Sequence, residues 1–280
     1  MNFPDWIQQY GNNLQLAVFF GLFVVLTVLE RLIPRRPRSP DNRARWGANL
    51  RLTAVNVLLL ASLPVSLVAV AFWAEARGWG LLNLRSLPLE ISLLATFFLR
   101  GFISWGTHIL NHKVPLLWRF HRIHHLDTEL DVSTTVRVHP IEFVLSLIIG
   151  IPLVAALGLT PWALVLYEVL DAMVVVFSHS NIRFPTSIDR VLKYIIVTPD
   201  LHRIHHSSWR PETDSNYSAV FPIWDLLLGT FRGSPREPHE TMTLGLEDVR
   251  GPHSREALWL LASPFRSNSP GTPPPMAVSR

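Results

Sequence analysis

Eight of the twelve histidines fall in three short windows. They are His108-Ile-Leu-Asn-His112, His121-Arg-Ile-His124-His125 and His202-Arg-Ile-His205-His206. Residues three and four apart share one face of a helix, so each window presents a convergent row of imidazoles. A transition metal takes about four to six ligands, and imidazole suits zinc, copper, iron and nickel. Eight donors exceed what one ion needs and match two. The absence of cysteine removes thiolate zinc sites, iron–sulfur clusters and cysteine nucleophiles. A zinc hydrolase usually mixes His with a carboxylate, yet the windows hold no Asp or Glu. The zincin signature His-Glu-x-x-His is also missing. Paired haems need His at two depths in the spans, whereas here the apolar segments carry His only at one end. An all-His, two-metal cluster remains, and iron is its natural metal if the target is an unactivated C–H bond. Dioxygen chemistry of that kind belongs to metals and cofactors rather than side chains.

Two further histidines are candidate metal ligands. His139 lies in Arg137-Val-His139-Pro140, and His179 in Phe177-Ser-His179-Ser-Asn181. His239 and His253 sit among Pro, Arg and Glu and read as solvated.

The elements that must carry these windows are membrane spans. The 280 residues are 49% hydrophobic and only 16% charged, with a mean hydropathy of +0.26. Such a composition excludes disorder. A transmembrane helix needs about 20 mostly apolar residues. Candidates run from Leu14 to Ile33, Leu52 to Ala74 and, more weakly, Leu87 to Trp105. Two shorter segments, Phe143–Leu159 and Pro161–Phe177, meet at a turn-like Gly158-Leu-Thr-Pro161 and predict a helical hairpin. Buried helices of a soluble core are the bland alternative for that hairpin, but the first two spans already commit the chain to lipid.

Arginine placement gives sidedness. The connection after the first span holds Arg31, Arg35, Arg36, Arg38, Arg43, Arg45 and Arg51, against Arg77 and Arg85 after the second. The positive-inside rule makes the first loop cytoplasmic. All three His windows then fall on the cytoplasmic face, which in a bacterium is that of the inner membrane. The basic bias (net charge +4, carried by Arg) is scattered and forms no recognition helix, so no nucleic-acid partner is expected. Met1–Gln9 has no basic residue and the first apolar run ends in Arg, unlike a cleavable signal peptide.

The expected architecture is therefore all-α: a multi-span membrane helical bundle with a His-rich helical catalytic cap on its cytoplasmic face. Residues 1–86 form an N-terminal transmembrane region, 87–235 the catalytic domain, and 236–280 an extension with a flexible Pro-rich tail from about Ser267.

Metal-bound His usually donates its second N–H to a carboxylate or carbonyl. Asp131, Asn181, Asp200, Asp214 and Asn216 are candidates for that role, with helix caps or turns as the plain alternative. Arg119, Arg122, Arg137 and Arg203 flank the windows and, Arg137 apart, read best as positive-inside anchors. Glu168 and Asp171 lie within the last apolar segment, where carboxylates are costly and point to function. Glu168 shares nearly the same helical face as His179 but sits about 16 Å from it along the helix, too far to bind the same metal. Both carboxylates are expected to line a substrate path beneath the metals, and Arg100 is available to pair with either.

Taken together, the stretch from Phe98 to Arg232 resembles the fatty acid hydroxylase superfamily, including sterol desaturases, sterol methyl oxidases and alkylglycerol monooxygenase. The resemblance rests on the three windows and their flanks. These include Leu117-Trp-Arg-Phe120, Asp131–Glu142, His179-Ser-Asn181, Thr198-Pro-Asp200, Asp214-Ser-Asn-Tyr217, Trp224-Asp225 and Gly229-Thr230. It implies a non-haem diiron enzyme that uses O2 and two electrons from a separate donor protein to hydroxylate, or desaturate, a lipid or sterol-like substrate. It also implies that His108, His112, His121, His124, His125, His202, His205 and His206 are ligands. His139 and His179 are histidine in the sterol and alkylglycerol branches as well. The other readings of the same residues are a zinc-dependent membrane hydrolase or isomerase and a non-enzymatic metal-handling membrane protein.

Overall fold

A computed structural model describes residues 2–39 and 42–266. The expected tail from Ser267 lies outside the described residues. Twelve α-helices occur among them, with no strand beyond two isolated antiparallel bridges, Pro34 to Ile182 and Ser207 to Leu244. The helices are α1 Phe3–Leu32, α2 Asn42–Ser62, α3 Leu67–Ala76, α4 Leu89–Lys113, α5 Pro115–His125 and α6 Pro140–Leu157. After them come α7 Pro161–Ser178, α8 Thr186–Leu192, α9 Pro199–His205, α10 Arg210–Thr213, α11 Ile223–Leu228 and α12 Ala257–Ala262.

Five segments are long and apolar enough to cross a membrane: Asn13–Leu32, Asn42–Leu84, Leu89–Lys113, Pro140–Leu157 and Pro161–Ser178. The chain is thus a multi-span membrane helical bundle. On α1, Leu16, Phe20, Val24, Val28 and Leu32 recur every four residues and are all exposed, an apolar stripe that suits a lipid-facing helix. The hairpin helix α7 is the centre of the bundle. Of its apolar window 61% is buried, against 11% in each of the other four. Close approach of α1 to α7 depends on Gly11, where a Cβ would stand 2.2 Å from Val165 Cγ1. The α6–α7 turn forms at Gly158, whose φ of 65° is the left-handed conformation that glycine adopts without penalty.

The second span departs from the sequence reading. Its helix breaks between Ser62 and Leu67, so α2 and α3 are separate. Pro64 cannot donate a helical hydrogen bond, and its ring disfavours helix at Leu63. The start of α2 precedes the expected span and packs into the cap: Arg45 and Asn49, with Asn56 further along the helix, are buried against the segment that follows α5.

Proline starts helices of both the cap and the membrane hairpin. Pro115, Pro140, Pro161 and Pro199 each stand in the first turn, after an extended residue. There the missing N–H has no cost and the fixed φ suits the helix. Val114 separates α4 from α5, so the first two His windows face each other across one bend.

Candidate metal centre and its cavity

Nine imidazoles converge in two groups. His108, His112, His121, His125 and His205 form one; His124, His179, His202 and His206 form the other. Within each group the candidate ligand atoms lie within 4.8 Å of one another. α4 supplies His108 and His112 from its last two turns, α5 supplies His121, His124 and His125, and α9 with the residue after it supplies His202, His205 and His206. His179 follows the last residue of α7. The i, i+3, i+4 spacing does not deliver each window to one site. The second and third windows are split, because residues three and four apart still differ by about 40–60° around the helix.

The inward atoms are Nε2 throughout. His121 Nε2 lies 3.1 Å from the Nε2 of both His108 and His112, and 3.3 Å from that of His125. His205 Nε2 is 3.1 Å from His108 Nε2. In the other group His179 Nε2 is 3.1 Å from His124 Nε2 and 3.0 Å from His202 Nε2, and His206 Nε2 is 3.2 Å from His202 Nε2.

The outward nitrogens fix the tautomers. Nδ1 of His108, His205 and His179 donates to the carbonyls of Tyr217, Ser215 and Val175, each at 2.7 Å. His124 Nδ1 donates to the Arg137 carbonyl at 3.3 Å. His121 Nδ1 meets Glu142 Oε1 at 2.7 Å, and His112 Nδ1 meets Asp214 Oδ1 at 3.4 Å. A carbonyl only accepts, so His108, His124, His179 and His205 carry their proton on Nδ1 and present a bare lone pair at Nε2. Bare lone pairs 3.1 Å apart, as in His108–His205 and His124–His179, repel and cannot hydrogen-bond each other. A cation between them reverses the sign. Nitrogens about 2.1 Å from a shared ion and at right angles to one another stand about 3.0 Å apart, which is the spacing observed. The residues therefore fit a pair of metal ions.

Burial keeps the donors neutral. It holds His124, His125, His202 and His206 well below the ordinary imidazole range. It also takes His179 to about 4 and His205 to about 3. A metal needs neutral imidazole, so the cavity wall supplies ligands ready to bind.

His139 does not join either group. It caps α6, with Nδ1 accepting from the Ile141 amide at 3.1 Å, and its Nε2 faces the Leu261 carbonyl at 3.2 Å. Both nitrogens are used, so it has no lone pair left for a metal. Asp131, Asn181, Asp200 and Asn216 do not touch the grouped imidazoles either. Asp131 pairs with Arg45 and accepts from Trp46 Nε1 at 2.9 Å while capping the turn 132–136. Asp200 binds Arg203 and Arg35 at 2.8 and 3.1 Å. Asn181 accepts from the Arg36 amide and donates to the Arg36 carbonyl. Asn216, at φ 53°, donates to the Leu201 and Arg232 carbonyls. All four hold the backbone that carries the windows. Asp214 reaches a ring as expected. Glu142 was not foreseen, because its pairing with His121 spans 21 residues and two helices.

Arg122 and Arg203 are buried rather than surface anchors. Arg122 pairs with Asp248, and Arg203 with Asp200. Arg137 is wholly buried and donates to the Ile123 carbonyl, Asn49 and the Ser254 carbonyl at 2.7–2.9 Å. His239 is also not solvated; its side chain is 14% exposed and lies 3.9 Å from Asp200. His253 remains exposed beside Glu256.

A cavity of about 410 Å³ opens from the metal centre into the bundle. α4 lines it with Arg100, Ile103, Ser104, Thr107 and His108, one strip of a helix. α7 adds Glu168, Asp171, Val175 and Ser178, followed by His179. Leu60, Leu67, Leu147 and Gly150 close the side toward the α2–α3 break. A second cavity of about 310 Å³ lies at that break and shares Leu60 and Leu147. Arg100 Nε donates to Glu168 Oε1 at 2.8 Å, which settles which carboxylate it pairs with.

The same chain can be compared with known proteins. The sequence model of the fatty acid hydroxylase family matches residues 93–230. The ornithine lipid hydroxylase OlsE of Rhizobium tropici is 30% identical over 266 residues, which cover 89% of this chain and 75% of that protein. The chain belongs to the fatty acid hydroxylase superfamily. Superfamily relatives include the alkylglycerol monooxygenase of Homo sapiens, 26% identical across 81% of this chain and 48% of that protein. Cholesterol 25-hydroxylase of Rattus norvegicus is 30% identical across 76% of this chain and 72% of its own length. No solved structure matches significantly. Seven of the nine grouped imidazoles and the Glu142 partner come from the matched segment between His108 and His202, and His205 and His206 complete them inside it. The named relatives are hydroxylases, a monooxygenase and, in Oryza sativa, a very-long-chain aldehyde decarbonylase, which supports an oxidoreductase.

Proposed function

We propose that this chain is a membrane-embedded, non-haem diiron enzyme that hydroxylates an aliphatic C–H bond of a lipid or sterol-like substrate. The overall reaction is R–H + O2 + 2 e⁻ + 2 H⁺ → R–OH + H2O, with the electrons brought by a separate donor protein. The observation that carries the reading is the opening of two neutral imidazole groups onto a cavity that runs among apolar helices. A pair of iron ions bound there would supply the dioxygen and one-electron chemistry that side chains lack.

The chain's own residues do the rest. His108, His112, His121, His125 and His205 would hold one ion, and His124, His179, His202 and His206 the other. Glu142, Asp214 and the four carbonyls orient the rings and increase their basicity. Ile103, Leu147 and Val175 seat a hydrocarbon segment against the imidazoles and keep bulk water out. The α2–α3 break gives a lipid a lateral way in, and Glu168 with Asp171 belongs to the substrate path. The arginine-rich connection between the first two spans supports a metal centre on the cytoplasmic side, which in a bacterium is the inner face of the inner membrane.

Purified protein from cells supplied with both iron and zinc tests this reading. The expected result is about two irons per chain, together with lipid-dependent O2 consumption and a hydroxylated product. Zinc with anaerobic turnover would instead assign the hydrolase or isomerase reading. Comparing the lipids of a deletion strain with those of its parent then names the substrate class.

A further inference from the structure

The far end of the cavity carries charge that neither the metal centre nor a hydrocarbon chain requires. Arg100 and Glu168 form an ion pair with side chains 12% and 19% exposed, and Arg100 lies over the Tyr167 ring at 5.3 Å. That pair uses one carboxylate. Asp171, one turn along α7 and lining the same cavity, takes no hydrogen bond among the described residues. A carboxyl within a membrane bundle without such a partner is costly unless something fills the role. The cavity holds a second unmet polar group. Ser218 is 3% exposed, lines the cavity, and its hydroxyl has no partner.

The two ends of the cavity are a fixed distance apart. Arg100 and His108 lie eight residues apart on α4, and Asp171 and His179 eight apart along α7, so each separation is about 12 Å along the axis. A chain of about eight to ten carbons bridges that length. The volume of about 410 Å³ suits one such chain with a small polar end, not a two-chain lipid.

We infer that Asp171, set beside the Arg100–Glu168 pair, is a specificity-determining residue that accepts a hydrogen bond from a hydroxyl or amine at the substrate's polar end, holding the carbon to be oxidised about 12 Å away at the metal centre. The inference rests on the hydroxylase reading above and adds the substrate class: an amphiphile with one donor group at one end, bound with that group deep in the bundle. A carboxyl accepts a hydrogen bond whether or not it is ionised, so the assignment does not depend on its protonation. Arg100 is neutralised by Glu168, so a carboxylate end group gains nothing and meets Asp171 unfavourably.

The test uses full-length, metal-loaded protein in nanodiscs. Tritiated 1-decanol, decylamine, decanoate and n-decane are each titrated in, with empty nanodiscs subtracted. Decanol or decylamine is expected to bind at least about tenfold more tightly than decane or decanoate. Preference for decanol alone names a hydroxyl lipid, and preference for decylamine alone an amine lipid. Asp171→Leu is expected to bring the preference to about one while metal content stays at the wild-type value. Asp171→Asn, nearly isosteric, is expected to keep some preference for decanol and lose that for decylamine. Under turnover, oxygen is expected on the last few carbons from the hydroxyl. Equal affinity for decanol, decylamine and decane in the wild type, or a preference that survives Asp171→Leu, overturns the inference. So does oxygen placed beside the hydroxyl. Iron content and O2 consumption on the same preparation report separately on the underlying reading.

Discussion

His121 Nδ1 and Glu142 Oε1 lie 2.7 Å apart, joining the middle of the cap to the first turn of the membrane hairpin. His121 Nε2 is also within 3.3 Å of the Nε2 atoms of His108, His112 and His125, so one carboxylate sets the central ring of the five-imidazole group. Replacing Glu142 with Ala is expected to weaken metal retention by about 10–100-fold, the usual cost of losing such a partner. Glu142→Gln keeps an acceptor and is expected to lose less. Chelator competition followed by metal analysis checks both. Equal retention in all three proteins would contradict the assigned role.

His139 and His179 look alike in sequence and differ in the fold. His179→Ala removes one of four donors from its group and is expected to leave that ion depleted. His139→Ala is expected to keep both ions and cost about 0.5–2 kcal/mol of stability through loss of a helix cap. Metal stoichiometry and thermal melting of the two variants separate the roles. Loss of metal from the His139 variant would return that residue to the ligand set.

Arg137 ties three parts of the chain together: the α5 carbonyl of Ile123, Asn49 of α2, and the Ser254 carbonyl of the C-terminal segment. Arg137→Met keeps much of its length but leaves those acceptors unmet. Each unmet buried group costs about 1–3 kcal/mol, so the melting temperature should fall by several degrees or more. A chain ended after Arg250 removes the Ser254 and Leu261 carbonyls and is expected to show a similar loss. Unchanged melting in either case would show that the C-terminal segment does not brace the cap.

His239 makes a pH prediction. Burial, then Arg203 and Arg35, lowers its pKa to about 4, against about 6.5 in an unfolded chain. Between those values the unfolded state holds more protons, so stability falls as the pH falls. The contribution is complete above about pH 6.5, drains toward pH 4 and is level below it. His239→Gln removes this component. Melting temperatures of the two proteins should therefore converge on the variant's side as the pH is lowered from 7.5 to 4.5. A constant difference across that range would mean that His239 does not titrate in this way.

The sequence by itself determined the rows of imidazole donors and the membrane class. Three His windows at helical spacing, no cysteine, and five apolar stretches are local facts, and helix periodicity converts them into rows of donors at span ends. The same locality explains the failures. Pro64 breaks the second span because one missing N–H and one ring outweigh an unbroken run of apolar residues. Nearness in sequence points to Asp131 and Asp200 as supporting carboxylates, yet these are taken by Arg45 and Arg203, and the partner of His121 comes from another helix. Only the packing of α4, α5, α7 and α9 decided which imidazoles stand together, split the second and third windows between two groups, and turned His139 into a cap. The physical reason is that ring direction depends on packing between helices: His108, His112, His121, His124 and His205 are held through Nδ1 by carbonyls or carboxylates distant in sequence, which no spacing encodes.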